Sequence, residues 1–465
     1  MKKLFTTLTC SLLLTVTFGQ TNVGGGIYAN TTWTLVNSPY IVIDTIVVFP
    51  GFTLTIEPGV VVKFDDHMYI EIRNATLIAN GTITDSITFT SNSITPIPGI
   101  WGGSNNGGIY FSGTSSVNSS FNYCYFEYAT KGINYGQYLA YIKHSTFVNN
   151  ISGIGTIYTT PIDSCIFRYN TNGILYCMGN SINFCNISNN MNGIGEGNGI
   201  MTNSVIDSNQ TGVGGLGNVD GTTYINCTIS YNQTGMNGTS FNTLKNCIID
   251  YNSLQGLNLQ GIHSTDTVMN CEIKFNGIGI TTSNCGGNIS PHGPITQCVI
   301  ESNATGIQLS GCDSIYCNSF CNNTSYDFQN LSSVPRSVPG NYWCTSDSQT
   351  VEAHIYDGYD NTNYGLVTFM PMDSFRLCSP LITSSANENF RENIFRLFPN
   401  PSTGSFSIKG ISSQEKASLE ILNALGAIVY TENLFGKNEY VIDVNLAKGI
   451  YFVKLNGSVR KLIIE

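Results

Sequence analysis

The chain has 465 residues, with 30 Asp and Glu against 20 Lys and Arg, a formal charge of −10. No basic patch breaks this balance, which argues against a nucleic-acid partner. Only 11% of residues are charged, against a usual ~25%, so most exposed positions must be Ser, Thr, Asn and Tyr.

Residues 1–19 read as a secretory signal peptide. Lys2 and Lys3 precede an apolar run through Val16, and Thr17-Phe18-Gly19 follows as a small-residue cleavage site. Cys10 lies within that run behind Thr7-Leu8-Thr9, a poor lipoprotein box. No later apolar run is long enough for a transmembrane segment. The main domain is expected over residues 20–378. Trp33 to Phe49 should cap its N-terminal end, which otherwise exposes strand edges. Thr53–Phe64 and Ile87–Ser91 alternate apolar and polar residues and turn like irregular coils.

From Phe121 to Asp327 one frame recurs: apolar, two residues, Cys or another small residue, one residue, apolar, two residues, Asn, two residues, Gly, apolar. It opens at Phe121, Ile142, Ile162, Ile182, Met201, Tyr224, Leu244, Val268, Ile295 and Ile315. A fixed period of about 20 residues means stacked units. Within each copy the apolar positions alternate, as strands do, and the Leu-dominated frame of a leucine-rich repeat is absent. The prediction is an all-β parallel β-helix with one copy per coil. The Cys column (Cys124, Ser145, Cys165, Cys185, Ser204, Cys227, Cys247, Cys271, Cys298) should point inward. So should the large residues two places on, Phe126 to Ile300. The Asn column (Asn150, Asn170, Asn190, Asn209, Asn232, Asn252, Asn276, Asn303, Asn323) should bond coil to coil at a bend, because coils rise ~4.8 Å. The Gly column, Gly132 to Gly306, suits a bend needing positive φ. Gly256 and Leu257 come one residue late, which reads as a bulge.

Fourteen cysteines follow the signal. Export normally turns an even count into disulfides. In the column, however, parallel Cβ vectors suit a disulfide badly, and buried thiols acting as small hydrophobes are favoured. Better pairs are Cys285 with Cys312 and Cys344 with Cys378. No Cys or His spacing suggests a metal site, and no cofactor is expected.

Three sets of outward residues are candidates for chemistry. The column after the large inward residue contains Asp207, Asp250, Lys274 and Glu301. These could act as acid and base or hold Ca²⁺ on a polysaccharide. The same residues also make a plain cross-strand charge ladder, the reading favoured here. Tyr128, Tyr169, Tyr231, Tyr251 and Phe275 form an aromatic column that could stack on sugar rings, or that simply reflects strand preference. Finally, coils swell at Gly195–Gly199, Gly214–Thr222, His263–Asp266 and Cys285–Pro294. These loops carry Glu196, Asp220, His263, Asp266 and His292.

The stretch TLTIEPGVVVKF, the following LIANGT and ITFTS, Gly99–Gly103 (GIWGG) and the exit residues Asn341-Tyr342-Trp343-Cys344, Ile355-Tyr356-Asp357 and Val367–Pro371 are similar to the pectate-lyase-like superfamily. That resemblance implies a right-handed β-helix over roughly residues 30–375. It says little of function, because the fold carries lyases, hydrolases, epimerases and non-catalytic binders. After a polar linker, residues 379–393, the segment 394–465 resembles the C-terminal sorting domain of the type IX secretion system of Bacteroidota. Phe398–Phe406, Leu419–Tyr430 with Gly426, Leu446–Lys454 and Lys461–Ile464 carry the likeness. It implies a small immunoglobulin-like β-sandwich, the type IX machinery as a partner, and a destination outside the outer membrane or on its surface. The function expected of the rod is binding of extracellular polysaccharide or another surface ligand without catalysis. The alternative is a polysaccharide lyase or glycoside hydrolase, and Ca²⁺ enters only with that alternative.

Overall fold

The computed structural model describes residues 19–465 except 104–106, 114–117, 215–220, 238–240, 261–266, 284–292, 312–313, 377–394, 401, 410–416, 424–425, 436, 438, 456–457 and 465. The chain divides into two compact units, Met1–Ser379 and Pro380–Glu465. Residues 1–18 of the signal segment and the linker lie outside the described residues.

The first unit is a parallel β-helix of about 13 turns. Each coil has three strands, and each strand pairs in parallel with its counterpart one coil on. Every opening residue pairs with the next: Phe121 with Ile142, Ile142 with Ile162, Ile162 with Ile182, Ile182 with Met201, and so to Ile295 with Ile315. Second strands such as Ile166–Arg168 follow a one-residue turn. Third strands such as Asn172–Asn183 follow the Asn column and run on into the next coil. Three inward columns fill the core. Phe126, Phe147 and Phe167 stack at 4.8 Å, nearly parallel, because identical side chains on neighbouring coils are held at the strand spacing.

The ladder starts earlier than expected. Thr21–Ile27 already pairs with Tyr40–Val48, and Thr31–Trp33 with Thr53–Ile56. Trp33 to Phe49 is therefore part of the coiled sheet rather than a cap. At the other end Trp343 stacks on Phe320. The short helix Ser348–Ala353 is capped there by Asp347, whose carboxylate accepts from Gln349 N and Thr350 N.

The Asn column is buried and continuous. Each backbone N–H donates to the side-chain oxygen of the next Asn, as from Asn170 to Asn190 at 2.9 Å. Each side-chain amide donates to that same oxygen at about 3.0 Å and back to a strand carbonyl of the preceding coil. At the Cys position, Ser145 and Ser204 accept from the N–H of Cys124 and Cys185. Asn318 and Asn341 continue the column beyond Cys298.

The Gly column has another cause than the one expected. These residues do not adopt positive φ. A Cβ on Gly193 would stand 2.4 Å from Gly212 O, and one on Gly212 2.5 Å from Gly235 O. Close backbone approach therefore excludes a side chain. Positive φ falls on non-glycine residues at the two sharp turns of each coil, just before the Cys column and just before the Asn column. The late Gly256 is no bulge: Gln255, Leu257 and Asn258 pair in register with Thr234, Met236 and Asn237. The extra residue sits in the turn at Ser253-Leu254, whose carbonyls crowd Gly277 of the next coil.

Cys124, Cys165, Cys177, Cys185, Cys227, Cys247, Cys271 and Cys298 are buried free thiols. Burial pushes the Cys124 thiol well up and that of Cys177 to about 12, so neither is a ready nucleophile. Cys344 pairs with Cys321, not Cys378, with Cα atoms 5.5 Å apart. These two stand on adjacent coils with side chains that converge, whereas Cys378, Cys285 and Cys312 lie outside the described residues.

In the second unit a three-stranded and a four-stranded antiparallel sheet enclose Phe406, Ile408, Leu419, Ile421, Val453 and Leu462.

Candidate functional site

Second strands and the turn after them build the outward columns. Register carries Ser188 onto Asp207, Asp207 onto Ser230, Ser230 onto Asp250, Asp250 onto Lys274 and Lys274 onto Glu301. The charges in this column pair locally. Lys274 Nζ lies 3.1 Å from Glu272 Oε2 and 3.8 Å from Glu301 Oε2, and Arg376 closes on Glu301 from the exit segment. Arg376 was not foreseen, because it lies 75 residues away in the chain. Asp250 and Asp207 have carboxyls raised above the ordinary range, chiefly by burial. Glu272 adds to the rise at Asp250, and Lys274 opposes it. Asp207 differs from its neighbours: its Oδ1 is buried without a hydrogen-bond partner.

The aromatic column occupies the turn before the Asn ladder, not a strand. Tyr128, Tyr169, Tyr231, Tyr251 and Phe275 all have φ between 53 and 64°, so strand preference does not explain them. Tyr128 packs partly against the core. The other four are well exposed: Tyr169 57%, Tyr231 61%, Tyr251 44% and Phe275 48%. Tyr231 stacks on Tyr251 at 5.0 Å and Tyr251 on Phe275 at 4.8 Å, with planes within 13°. Both faces of Tyr251 are thus covered by its neighbours, and free ring faces remain only at the ends of the stack.

The other turn column carries an exposed amide ladder that the repeat frame does not include. Asn226 Nδ2 donates to Asn203 Oδ1, Asn246 Nδ2 to Asn226 Oδ1, and Asn270 Nδ2 to Asn246 Oδ1. The Asn that precedes the Cys or Ser column at 203, 226, 246 and 270 was the legible signal. Glu196 is no loop residue: it pairs with Tyr176 inside the strand Asn192–Thr202, so the Gly195–Gly199 swelling is sheet. Asp220, His263, Asp266 and His292 lie outside the described residues. Among the described residues no three His, Cys, Asp or Glu gather to hold a metal ion, and no helix is long and apolar enough to cross a membrane.

Residues 25–137 match the pectate-lyase-like β-helix domain. Residues 396–465 match the secretion system C-terminal sorting domain. The chain joins a pectate-lyase-like β-helix to a secretion sorting domain. That domain marks it for type IX export to the cell surface or the extracellular space. Its motif has a visible task. Asn400 Nδ2 donates to Lys461 O, Ile463 N donates to Asn400 Oδ1, and Ser402 N donates to Ile463 O, so the Pro-Asn-Pro-Ser segment clamps the terminal strand. Among solved structures, the A-module of mannuronan C-5 epimerase AlgE4 from Azotobacter vinelandii is similar at 13% identity and a TM-score of 0.41, over 64% of this chain and 91% of that one. The periplasmic alginate epimerase AlgG is similar at 14% identity and 0.36, over 59% and 76%. No curated protein matches the chain.

Proposed function

We propose that the β-helix is the working part of a surface-displayed or released protein that binds extracellular polysaccharide without catalysis, delivered by a Sec signal peptide and then by the type IX machinery. The observation that carries this reading is the exposed aromatic column. Rings at positive φ are uncommon, and Tyr169 and the end rings Tyr231 and Phe275 keep faces open to solvent, so the row suits a ligand with apolar faces and hydroxyl edges. Amide and hydroxyl residues beside the column supply matching polar partners.

A second reading, a glycoside hydrolase, draws on Asp207 and Asp250. Both carboxyls are raised by burial, and two coils separate them, ~9.6 Å at the strand spacing. Inverting hydrolases hold their acid and base about 6.5–9.5 Å apart. The test is a screen of the exported protein against plant, algal and host polysaccharides, reading retention together with new reducing or unsaturated ends. Retention without new ends is the expected result. New reducing ends without unsaturation that disappear in Asp207→Asn would establish the hydrolase instead, unsaturated ends would establish a lyase, and no retention on any polysaccharide would end the binding reading.

A further inference from the structure

The turn column that carries the aromatic stack also contains an opening. In coil order it reads Tyr169, Asn189, Ser208, Tyr231, Tyr251, Phe275 and Ser302, each at positive φ. Backbone bonds hold every turn one coil from the next: Asn189 N donates to Asp207 O, Ser208 N to Ser230 O, and Tyr231 N to Asp250 O. A level without a ring therefore stays open, because neighbouring coils cannot close up. Between Tyr169 and Tyr231 two successive levels carry Asn189 and Ser208 instead of rings. At ~4.8 Å per coil the two rings stand ~14 Å apart, an opening two rings deep.

Tyr231 is covered by Tyr251 on one side and turns its other face to Ser208. Tyr169 touches no other ring among the described residues. These two are also the most exposed rings of the four. Asp207, half-buried, directly precedes Ser208, and Asn189, Ser208 and Gln210 are exposed. Two ring faces flanked by amide, hydroxyl and carboxylate groups suit a pyranose, which offers axial C–H faces and hydroxyl rims.

We infer that the opening between Tyr169 and Tyr231 is a binding site for neutral pyranose glycans, with the two rings as platforms and Asp207, Asn189 and Ser208 as hydroxyl partners. This rests on the glycan-binding reading above and locates it. The neutral class follows from charge balance: Arg168 precedes Tyr169 and Asp207 precedes Ser208 in one outward column, so the opening carries one charge of each sign and no excess cation to hold a polyuronate, on a chain of formal charge −10.

The decisive variant is the double substitution Asn189→Tyr with Ser208→Tyr. Asn189 and Ser208 have φ 56° and 57°, and Tyr231 adopts 55° in the same turn one coil on, so tyrosines at both levels complete the stack and fill the opening. Binding of cellohexaose and mannohexaose to the full mature chain is read by calorimetry, with hexaguluronate as the charged comparison. This double variant should weaken the neutral hexasaccharides by about tenfold or more, the scale of one lost aromatic platform with its neighbours, at an unchanged urea midpoint. Tyr231→Ala and Tyr169→Ala should weaken binding likewise, so the result does not hang on one variant's folding. Ser302→Tyr, which lengthens the stack at its far end, should bind as wild type. Undiminished binding by the double variant and Tyr231→Ala, or a loss confined to Ser302→Tyr, overturns this site while leaving the glycan-binding reading in place. Tighter binding of hexaguluronate overturns the neutral class. A wild-type protein retained on no polysaccharide overturns both.

Discussion

Asn190→Ala removes an amide that is only 4% exposed. Its Oδ1 accepts from Asn170 N at 2.9 Å and from Asn170 Nδ2 at 3.0 Å. Its Nδ2 donates to Phe167 O, Ser188 O and Asn209 Oδ1, each at 3.0 Å. After truncation two neighbours keep partners: Asn209 Oδ1 still accepts from Asn190 N, and Asn170 Nδ2 still reaches Phe147 O and Arg168 O. The Asn170 N–H is left buried and unpaired. One such group costs about 1–3 kcal/mol, and that is the expected loss here and in Asn232→Ala. Asn190→Asp sharpens the test. It keeps the acceptor for Asn170 N but turns an ionised oxygen toward three oxygens that had a donor. It should be less stable than Asn190→Ala at pH 7, and the gap should narrow as acid protonates the carboxylate and restores one donor. The assay is the urea midpoint at constant m-value, with hydrogen exchange to locate the opening. Wild-type midpoints in both alanine variants, or Asn190→Asp no weaker than Asn190→Ala at neutral pH, would refute the ladder as a source of stability.

Gly193→Ala should cost about 1–3 kcal/mol although its φ is ordinary, because the new methyl meets a backbone carbonyl that the ladder pins; an unaltered melting temperature would contradict the close-approach argument. Asp207 holds its proton more tightly folded than unfolded, since burial raises its carboxyl. Stability should therefore fall as pH climbs from the ordinary value of 3.8 through the raised folded one. Asp207→Asn should exceed wild type at pH 7 and converge with it below that ordinary value; parallel pH curves would argue against the shift. Deleting residues 393–465 should leave the rod folded, with its own core, but held in the periplasm. Normal amounts at the surface, or loss of the rod's cooperative unfolding, would count against an address function.

The inward columns were legible because a parallel stack repeats side-chain identity at every coil. Phe126 over Phe147 over Phe167, the buried thiols and the Asn ladder all follow from one period of about 20 residues. The sorting segment was legible because its motifs lie close together in the chain. Other features depend on distances that no single coil contains. Which residues take positive φ was decided by the one-residue turns: they need left-handed backbone at Tyr231 and Asn226, while the Gly column, which looked like the natural holder, is glycine because stacked carbonyls approach it. The pairing of Cys344 with Cys321 was settled by side-chain convergence across adjacent coils, and the placement of Glu196 inside a strand by the ladder of its neighbour. Outward composition alone shows a row of aromatic residues. Only the stacked coils determine that Tyr251 has both faces covered while Tyr231 and Tyr169 keep faces free, because the rigid strand spacing turns a missing ring at Asn189 and Ser208 into an opening.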